Sequence, residues 1–578
     1  MKSFFYILFI AVLLLPFCLV AQGLIIPSGA YVVASNGNIV VNRNWVNNGS
    51  FTHNGGTVIF AGTTQTLAGS TATTFNNLTT ATGSTTTISS SGHKLKNILL
   101  SNGTLYANGN LTLLSTAAQT AAVDGSGSGN VLGNLIMQRY IASGFGYKYF
   151  SSPFQNDTVG DFSNDINLNA SFPNFYRHDE NQLSNGWINY TNGSGVLSPM
   201  HGYAANLGAS TAAATVDLKG IVNNNTVSLN LYNHNMAYTQ GFNLVGNPYP
   251  SPVNWDAASG WTKTNIDNAV YYFNAGTADQ YTGVYSSYIN GVSSDGVAVG
   301  TIAAMQGFFV HVSNGSYPVA GLLSVNNNAR IINSTAHFFR VGDVQDNQSL
   351  LRINAGLADQ TNIADPLAIY FNDAAGGKFN RQLDALKLMN TDSLIPNLYA
   401  VSTDAKKLSI QALASSDDTL TVVPLGLATK KDGWISFKAI DIKDIPASLY
   451  IYLTDIGTGT NHDLRKDPVY RLHLVSGTYE KRFFLKFSSR ALAVNNTTAD
   501  ADIKIYSAGG RLFVTADLAA GEKGNVTVTN MLGQVVWRQE ISTNISGPMG
   551  AGFASGVYIV NFSSPATNFS KKIFLGGH

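Results

Sequence analysis

Cysteine is nearly missing from these 578 residues; Cys18 is the only one. Charge is scarce as well: Asp, Glu, Lys and Arg make up 12% of the chain, about half the ~25% of an average soluble protein. Proline stops at 16 residues, and past the N-terminus no apolar run approaches a bilayer span. Each shortage excludes something. A chain that loses Cys18 has no disulfide, no thiolate metal site and no cysteine nucleophile. Lys and Arg number 34 against 33 acids, a net charge of +1, so no field gathers nucleic acid or an anionic membrane. Disorder is excluded in turn by 11% aromatics. At ~150 residues per domain the length predicts three to five domains, each able to bury its own core. What remains is rich in Gly, Asn, Ser and Thr, the composition of an all-β exported protein with uncharged turns.

The N-terminus begins MKSFFYILFIAVLLLPFCLVAQG. Lys2 supplies a positive start, Phe4 to Leu15 an unbroken apolar stretch, and Ala21 a small residue before a cleavage point. This pattern predicts a secretory signal peptide over 1–21, cleaved after Ala21. The alternative, a membrane anchor, lacks a stop-transfer cluster after the apolar run. Lipidation at Cys18 is disfavoured because Phe17 stands where a small residue is needed.

Residues 22–135 read as β-solenoid-like repeats. Short apolar bursts recur about every 20 residues: NIVV, TVIFAG, NNLTT, KNILLS, GTLYANGNLTLLS. Asn-Gly, a strong turn signal, falls at 36–37, 48–49, 54–55, 102–103 and 108–109. A sandwich of hairpins is the competing reading. The stretch DGSGSGN (124–130) is expected to be a flexible linker, because a calcium loop would need more carboxylates and a distal Glu where Leu135 stands. Residues 136–335 form an aromatic-rich block expected to be a β-sandwich, with GNPYPSP (246–252) as a rigid extended loop. Charge density changes near residue 336: residues 23–335 hold 20 charged side chains and residues 336–578 hold 46. A second β-sandwich is therefore expected over 336–490, with seven alternating strands and a short helix at FNRQLDALKLM (379–389). Residues 491–500 read as a linker.

The last stretch, 501–578, carries IKIYSAGGRLFV, VTVTNMLGQVVWRQEI, ASGVYIVNF and a final NFSKKIFL. In order and spacing this resembles the type A C-terminal sorting domain of the bacterial type IX secretion system. The resemblance implies a small β-sandwich read by that machinery and removed on export. It gives Gly556, Tyr558, Lys571 and Lys572 a part in the sorting signal rather than in catalysis. One departure is Ser507-Ala508-Gly509-Gly510, where a Pro-containing segment is common. RYI…SSPF, GNPYPSP…W, QGFFV and PNLYAVS upstream resemble modules of large surface proteins exported by the same route.

Chemistry is sparse. No zinc-protease helix, Walker loop or Gly-x-Ser-x-Gly elbow occurs, and the ten histidines lack metal-ligand spacing. No catalytic residue, metal or cofactor is therefore assigned. Arg177-His178-Asp179-Glu180 reads as a charged loop, since neighbours in a strand point to opposite faces. Asp179, Glu180, Asp256 and Asp267 are the candidates for a hydrolytic carboxylate pair. Trp187, Tyr190, Trp255 and Trp261, with Tyr281, Tyr285 and Tyr288, are candidates for a carbohydrate-binding surface or for the core. Asp-Thr-Val (157–159), Asp-Ser-Leu (392–394) and Asp-Thr-Leu (418–420) resemble O-glycosylation acceptors. The expected function is non-enzymatic adhesion or binding of extracellular polysaccharide or a host or matrix surface, outside the cell. A secreted glycan hydrolase and a purely structural surface component are the alternatives.

Overall fold

The structure, a computed structural model, describes residues 23–276, 279–332, 335, 348–358, 364–390, 392–414, 420–490, 504–508, 511–515, 523–542, 548–549, 552–564 and 568–575. The signal peptide, the 491–500 linker and Asp418-Thr419 lie outside them. The chain forms two units: Met1–Ile451 with Leu464–Arg490, and Tyr452–Asp463 with Ala491–His578. Among the described residues the fold is all-β, with two short 3-10 turns and no α-helix.

The N-terminal region is a β-solenoid. Strand Leu24–Ile26 pairs in parallel with Trp45–Asn47, which pairs with Gln65–Ala68. That strand pairs with Thr85–Ile88, then Thr104–Tyr106, then Asn130–Leu132. Leu24 stands opposite Trp45, and Trp45 opposite Leu67, so the first two rungs take 21 and 22 residues; farther along, Thr85 stands opposite Thr104 and Thr104 opposite Asn130. Two further parallel sheets close the rung. Alternation decides which side chains point inward. In Thr57–Phe60, Val58 and Phe60 are buried while Thr57 and Ile59 are half-exposed. The inner aromatics lie together, Trp45 4.8 Å from Phe51, 5.5 Å from Phe75 and 6.3 Å from Phe60. Each such ring removes about 1.5–3 kcal/mol of apolar surface energy from water. Inward polar groups are paired along the rod: Gln65 Nε2 donates to Thr86 Oγ1 (3.0 Å), and Trp45 Nε1 and Asn47 Nδ2 both donate to Thr73 Oγ1 (3.2 Å).

The glycine-rich 124–130 segment is part of the last rung, correcting its reading as a flexible linker. Asp124 N donates to Leu99 O, Gly129 N to Ser101 O and Ser126 N to Asp124 Oδ1. A side chain at Gly127 or Gly129 would collide with the backbone of the rung beneath, which is why glycine stands there. The rod then continues into the body. Leu135–Ile141 pairs in parallel with Leu111–Leu113 and antiparallel with Ala214–Gly220.

The body is layered. A five-stranded antiparallel sheet runs Phe242–Gly246, Gly307–His311, Val270–Ala275, Gly283–Ile289, Val292–Ser293. Its strands are apolar on both faces. Val270, Tyr272, Phe308 and Val310 meet Leu231, Leu323 and Val325 of a three-stranded sheet. Tyr271, Phe273, Tyr285 and Phe309 meet Leu350, Ala368, Tyr370 and Ile410 of the large sheet. The large sheet runs Gly477–Ser488, Leu420–Thr429, Asn397–Val401, Lys407–Leu413, Asp365–Phe371, Leu350–Leu357, Gly433–Lys443, Val469–Leu474. Its central strands are buried on both faces, where alternation predicted one. The short helix expected over 379–389 is absent: Asp384 accepts from the amides of Asn380 and Ala412 (both 2.7 Å), and Ala385 pairs with Ile410. Cross-sheet pairing overrides helix propensity here.

In the second unit, Lys523–Asn530 lies between Val535–Ser542 and Gly556–Ser563, and Asn568–Leu575 adds the fourth strand. A three-stranded sheet built from Lys504–Ala508, Arg511–Thr515 and Pro548–Met549 also belongs to the unit. Ile505, Leu512, Val526, Val560 and Leu575 contribute to one core.

Candidate functional site

The candidate aromatics separate by location. Trp255 is fully buried, its Nε1 donating to Asn268 O (2.8 Å) and its ring covered by Lys263 Nζ at 3.6 Å. Trp261 packs edge-on against it at 4.8 Å and donates to Asn254 O (2.8 Å). Trp255 thus presents no free face, whereas Trp261 is half-buried. Tyr285 and Tyr288 are buried too, and Tyr190 packs on Phe175 and Tyr203.

Trp187 and Tyr281 belong to a chain of rings that reaches the surface. The four-stranded antiparallel sheet orders Tyr147–Phe150, Tyr203–Asn206, Phe175–His178 and Trp187–Asn189. It sets Trp187 6.4 Å from Tyr176, and Tyr176 6.0 Å from Tyr147. Tyr147 lies 6.4 Å from Tyr281, which meets Phe172 at 5.3 Å. Phe172 and Tyr281 are 53% and 46% exposed, the outermost rings of this chain. Polar groups flank them: Gln280 Nε2 donates to the Tyr281 hydroxyl (2.9 Å), and Asp279 Oδ1 accepts from Tyr281 N and Thr282 Oγ1. Burial, with neighbouring tyrosines, raises the Tyr147 phenol above its ordinary range, so it acts as a neutral hydrogen-bonding group. Sequence reading missed Phe172, Tyr147 and Tyr176 because three strands and a loop bring them together.

The polar candidates are engaged separately. Arg177 and Asp179 form a surface pair at 3.5 Å. His178 points inward between Trp187 and Phe309, and burial pushes it down to about 4. Glu180 is buried and accepts from the backbone and Nδ1 of His234 (2.9 and 2.6 Å). Asp256 accepts from the Tyr288 hydroxyl. Asp267 accepts from His311 Nδ1 (2.6 Å) and from Ser313 Oγ (2.6 Å). The four carboxylates thus have four different sets of partners. The Ser313, His311 and Asp267 group has the members of a nucleophile triad but other wiring. Serine bonds to the aspartate, and His311 Nε2 faces the Gln240 carbonyl at 3.0 Å. No group of three or more His, Cys, Asp or Glu is placed to hold a metal among the described residues.

Of the acceptor-like tripeptides, Asp157 is fully buried and Thr158 turns its hydroxyl to Asp161 Oδ2 (3.1 Å). Ser393 is exposed on a turn held by Asp392 Oδ1 and Leu394 N (2.7 Å). In the second unit, Gly556 lies opposite Leu575, Tyr558 opposite Ile573, and Lys571 opposite Val560. Tyr558 is buried and donates to Ala554 O (2.8 Å), whereas Lys571 and Lys572 are exposed.

Residues 33–487 match the domain-of-unknown-function family DUF8693. The chain belongs to that family. The DUF8693 match runs from strand Tyr31–Ala34 of the solenoid to strand Gly477–Ser488 of the large sheet. The chain is also similar to the minor fimbrium subunit Mfa5 of Porphyromonas gingivalis, 24% identical over 362 residues. That alignment covers 59% of this chain and 28% of the relative, so the chain spans less than a third of it. A solved biofilm-associated protein BSP domain aligns at 10% identity over 76% of this chain and 92% of that one. Its TM-score of 0.11 carries no inference about fold. No described helix is long and apolar enough to cross a membrane.

Proposed function

We propose that this chain is a non-enzymatic, adhesin-like protein of the bacterial surface or its surroundings. The observation that carries the reading is the seam at Leu135–Ile141, one strand shared by the last solenoid rung and an antiparallel ladder. A rod continuous with a layered body transmits force without a hinge, which suits contact at a distance. The likeness to a fimbrial subunit agrees with it. Within this reading the ligand is an extracellular polysaccharide. Phe172 and Tyr281 offer ring faces, and Asp279 and Gln280 offer acceptor and donor groups beside them. Export by the type IX system, with Gly556, Tyr558, Lys571 and Lys572 in the sorting signal, follows from the sequence resemblance and belongs to the proposal.

Two experiments test it. Tyr281→Ala and Phe172→Ala, both at exposed positions, are expected to lower retention on the bound polysaccharide at least tenfold without changing the melting profile; unchanged retention removes these rings from the site. Truncation before residue 491 is expected to abolish surface delivery; undiminished surface protein would overturn the export route.

A further inference from the structure

The two ends of the solenoid are finished differently. At the far end, Leu135–Ile141 is sealed by the antiparallel strand Ala214–Gly220. At the near end, the first rung consists of Leu24–Ile26, Tyr31–Ala34 and Ile39–Val41. Among the described residues each of these strands has a ladder neighbour on one side only. Of its inner residues, Ile26 and Val41 are buried but Leu24, Ala30, Val32 and Ile39 are only half-buried, whereas Trp45, Val58, Phe60, Leu67, Phe75 and Leu78 in the rungs behind are completely enclosed. Its outer face is apolar too: Tyr31 is 80% exposed, Val33 67%, Ile25 58% and Val40 57%. In the next rung Val46 stands opposite Ile25 and Ile59 opposite Val40, both half-buried, while Ser50 and Thr52 stand opposite Tyr31 and Val33.

A bare strand edge is a template for pairing, and proteins ordinarily blunt it with lysine, glutamate or proline. None of Asp, Glu, Lys, Arg or His occurs between Gly23 and Asn42, and Pro27 sits in the turn between strands. We propose that this rung is an interface for a second copy of the chain, the two rods meeting end to end. A twofold axis across the rod reverses strand direction, so Tyr31–Ala34 meets its own copy antiparallel and each rung covers the half-buried aliphatics of the other. The uncharged surface favours the same surface over a charged partner, because self-association brings no like charges together and leaves no ion unpaired.

The test is sedimentation of the purified chain over a thousandfold range of concentration. The expected result is a monomer–dimer equilibrium. Val33→Lys with Tyr31→Lys places new charges at exposed outer positions and is expected to raise the dissociation constant at least tenfold, with an unchanged melting profile. Because a chain starting after Ala21 has no thiol of its own, Tyr31→Cys or Val33→Cys reports the contact separately. At least one is expected to form a disulfide-linked dimer under mild oxidation. A monomer at every concentration, or a dimer indifferent to both lysines, would overturn the proposal. So would first-rung amides protected from hydrogen exchange in the monomer, since another segment would then cover the edge.

Discussion

Arg330 holds the solenoid to the body, and its replacement by methionine isolates that clamp. The side chain is half-buried. It donates from Nη2 to Val123 O (2.5 Å) in the rod and from Nε to Ser251 Oγ (2.8 Å) in the proline-rich loop. Nη1 reaches Asn327 and Asn224 at 3.2 and 3.3 Å, and the guanidinium lies 4.9 Å from the Tyr249 ring. Beside it, Val123 N donates to Pro250 O (2.8 Å). Methionine keeps the length and apolar stem but leaves the Val123 carbonyl and the Ser251 hydroxyl without this donor. Two charge-assisted bonds at ~1.5–3 kcal/mol each, partly offset by relief of arginine's own burial, give a net loss of about 2–4 kcal/mol. That burial is large enough to push the guanidinium down to about 10. If the seam opens locally, 2–4 kcal/mol is a fall of about 30- to 700-fold in protection from hydrogen exchange at Val123 and Asp124. Native-state exchange resolved to single amides is the assay. A folded R330M whose Val123 protection matches the parent would refute the clamp.

Two further perturbations have signed outcomes. Lys387 and Asp365 form a buried ion pair whose carboxylate also accepts from Leu398 N (2.6 Å) and Asn390 Nδ2 (2.8 Å). Lys387→Met strands that carboxylate and is expected to cost about 3–5 kcal/mol, read as a lower denaturation midpoint of the first unit; a loss under 1 kcal/mol would contradict the pairing. Asp157 is pushed up to about 7 by burial, with nearby Asp161 adding to the shift and Ser152 opposing it. Its unfolded carboxyl ionises near ~3.9, so across about pH 4–7 the folded chain keeps a proton that the unfolded chain has lost. Stability from this group is therefore full below pH 4 and falls as pH rises to 7, by about 2–4 kcal/mol. Asp157→Asn is expected to remove that component of the pH dependence and to stabilise the chain at pH 8. An identical pH profile in parent and variant would show that Asp157 titrates normally.

Repeats and strands were legible because local physics writes them. Asn108-Gly109 adopts φ of 51° and 74°, the left-handed pair its sequence signals, and Lys407–Leu413 occupies the residues its alternation marks. What local pattern cannot show is which faces a neighbouring sheet will cover. Strand Val270–Ala275 buries Tyr272 on one side and Tyr271 and Phe273 on the other because two sheets enclose it. The same blindness affected the aromatics. Trp255 and Trp187 are alike in sequence, each beside turn residues, yet one is enclosed and the other belongs to a chain of rings reaching the surface. The helix expected at 379–389 failed because Asp384 and Ala385 also bind the distant strand Lys407–Leu413, at Ala412 and Ile410. That the first rung has ladder neighbours on one side only among the described residues was invisible for a related reason, since a strand's sequence does not say how many neighbours it has.

In the proposed reading the chain binds polysaccharide and does not cleave it. The most direct measurement incubates purified chain with a panel of soluble and insoluble polysaccharides, scoring retention and new reducing ends in the same tubes. The account predicts saturable retention on at least one polysaccharide, lost in Tyr281→Ala, with no reducing ends above the blank. Release of reducing ends that scales with protein concentration would contradict it.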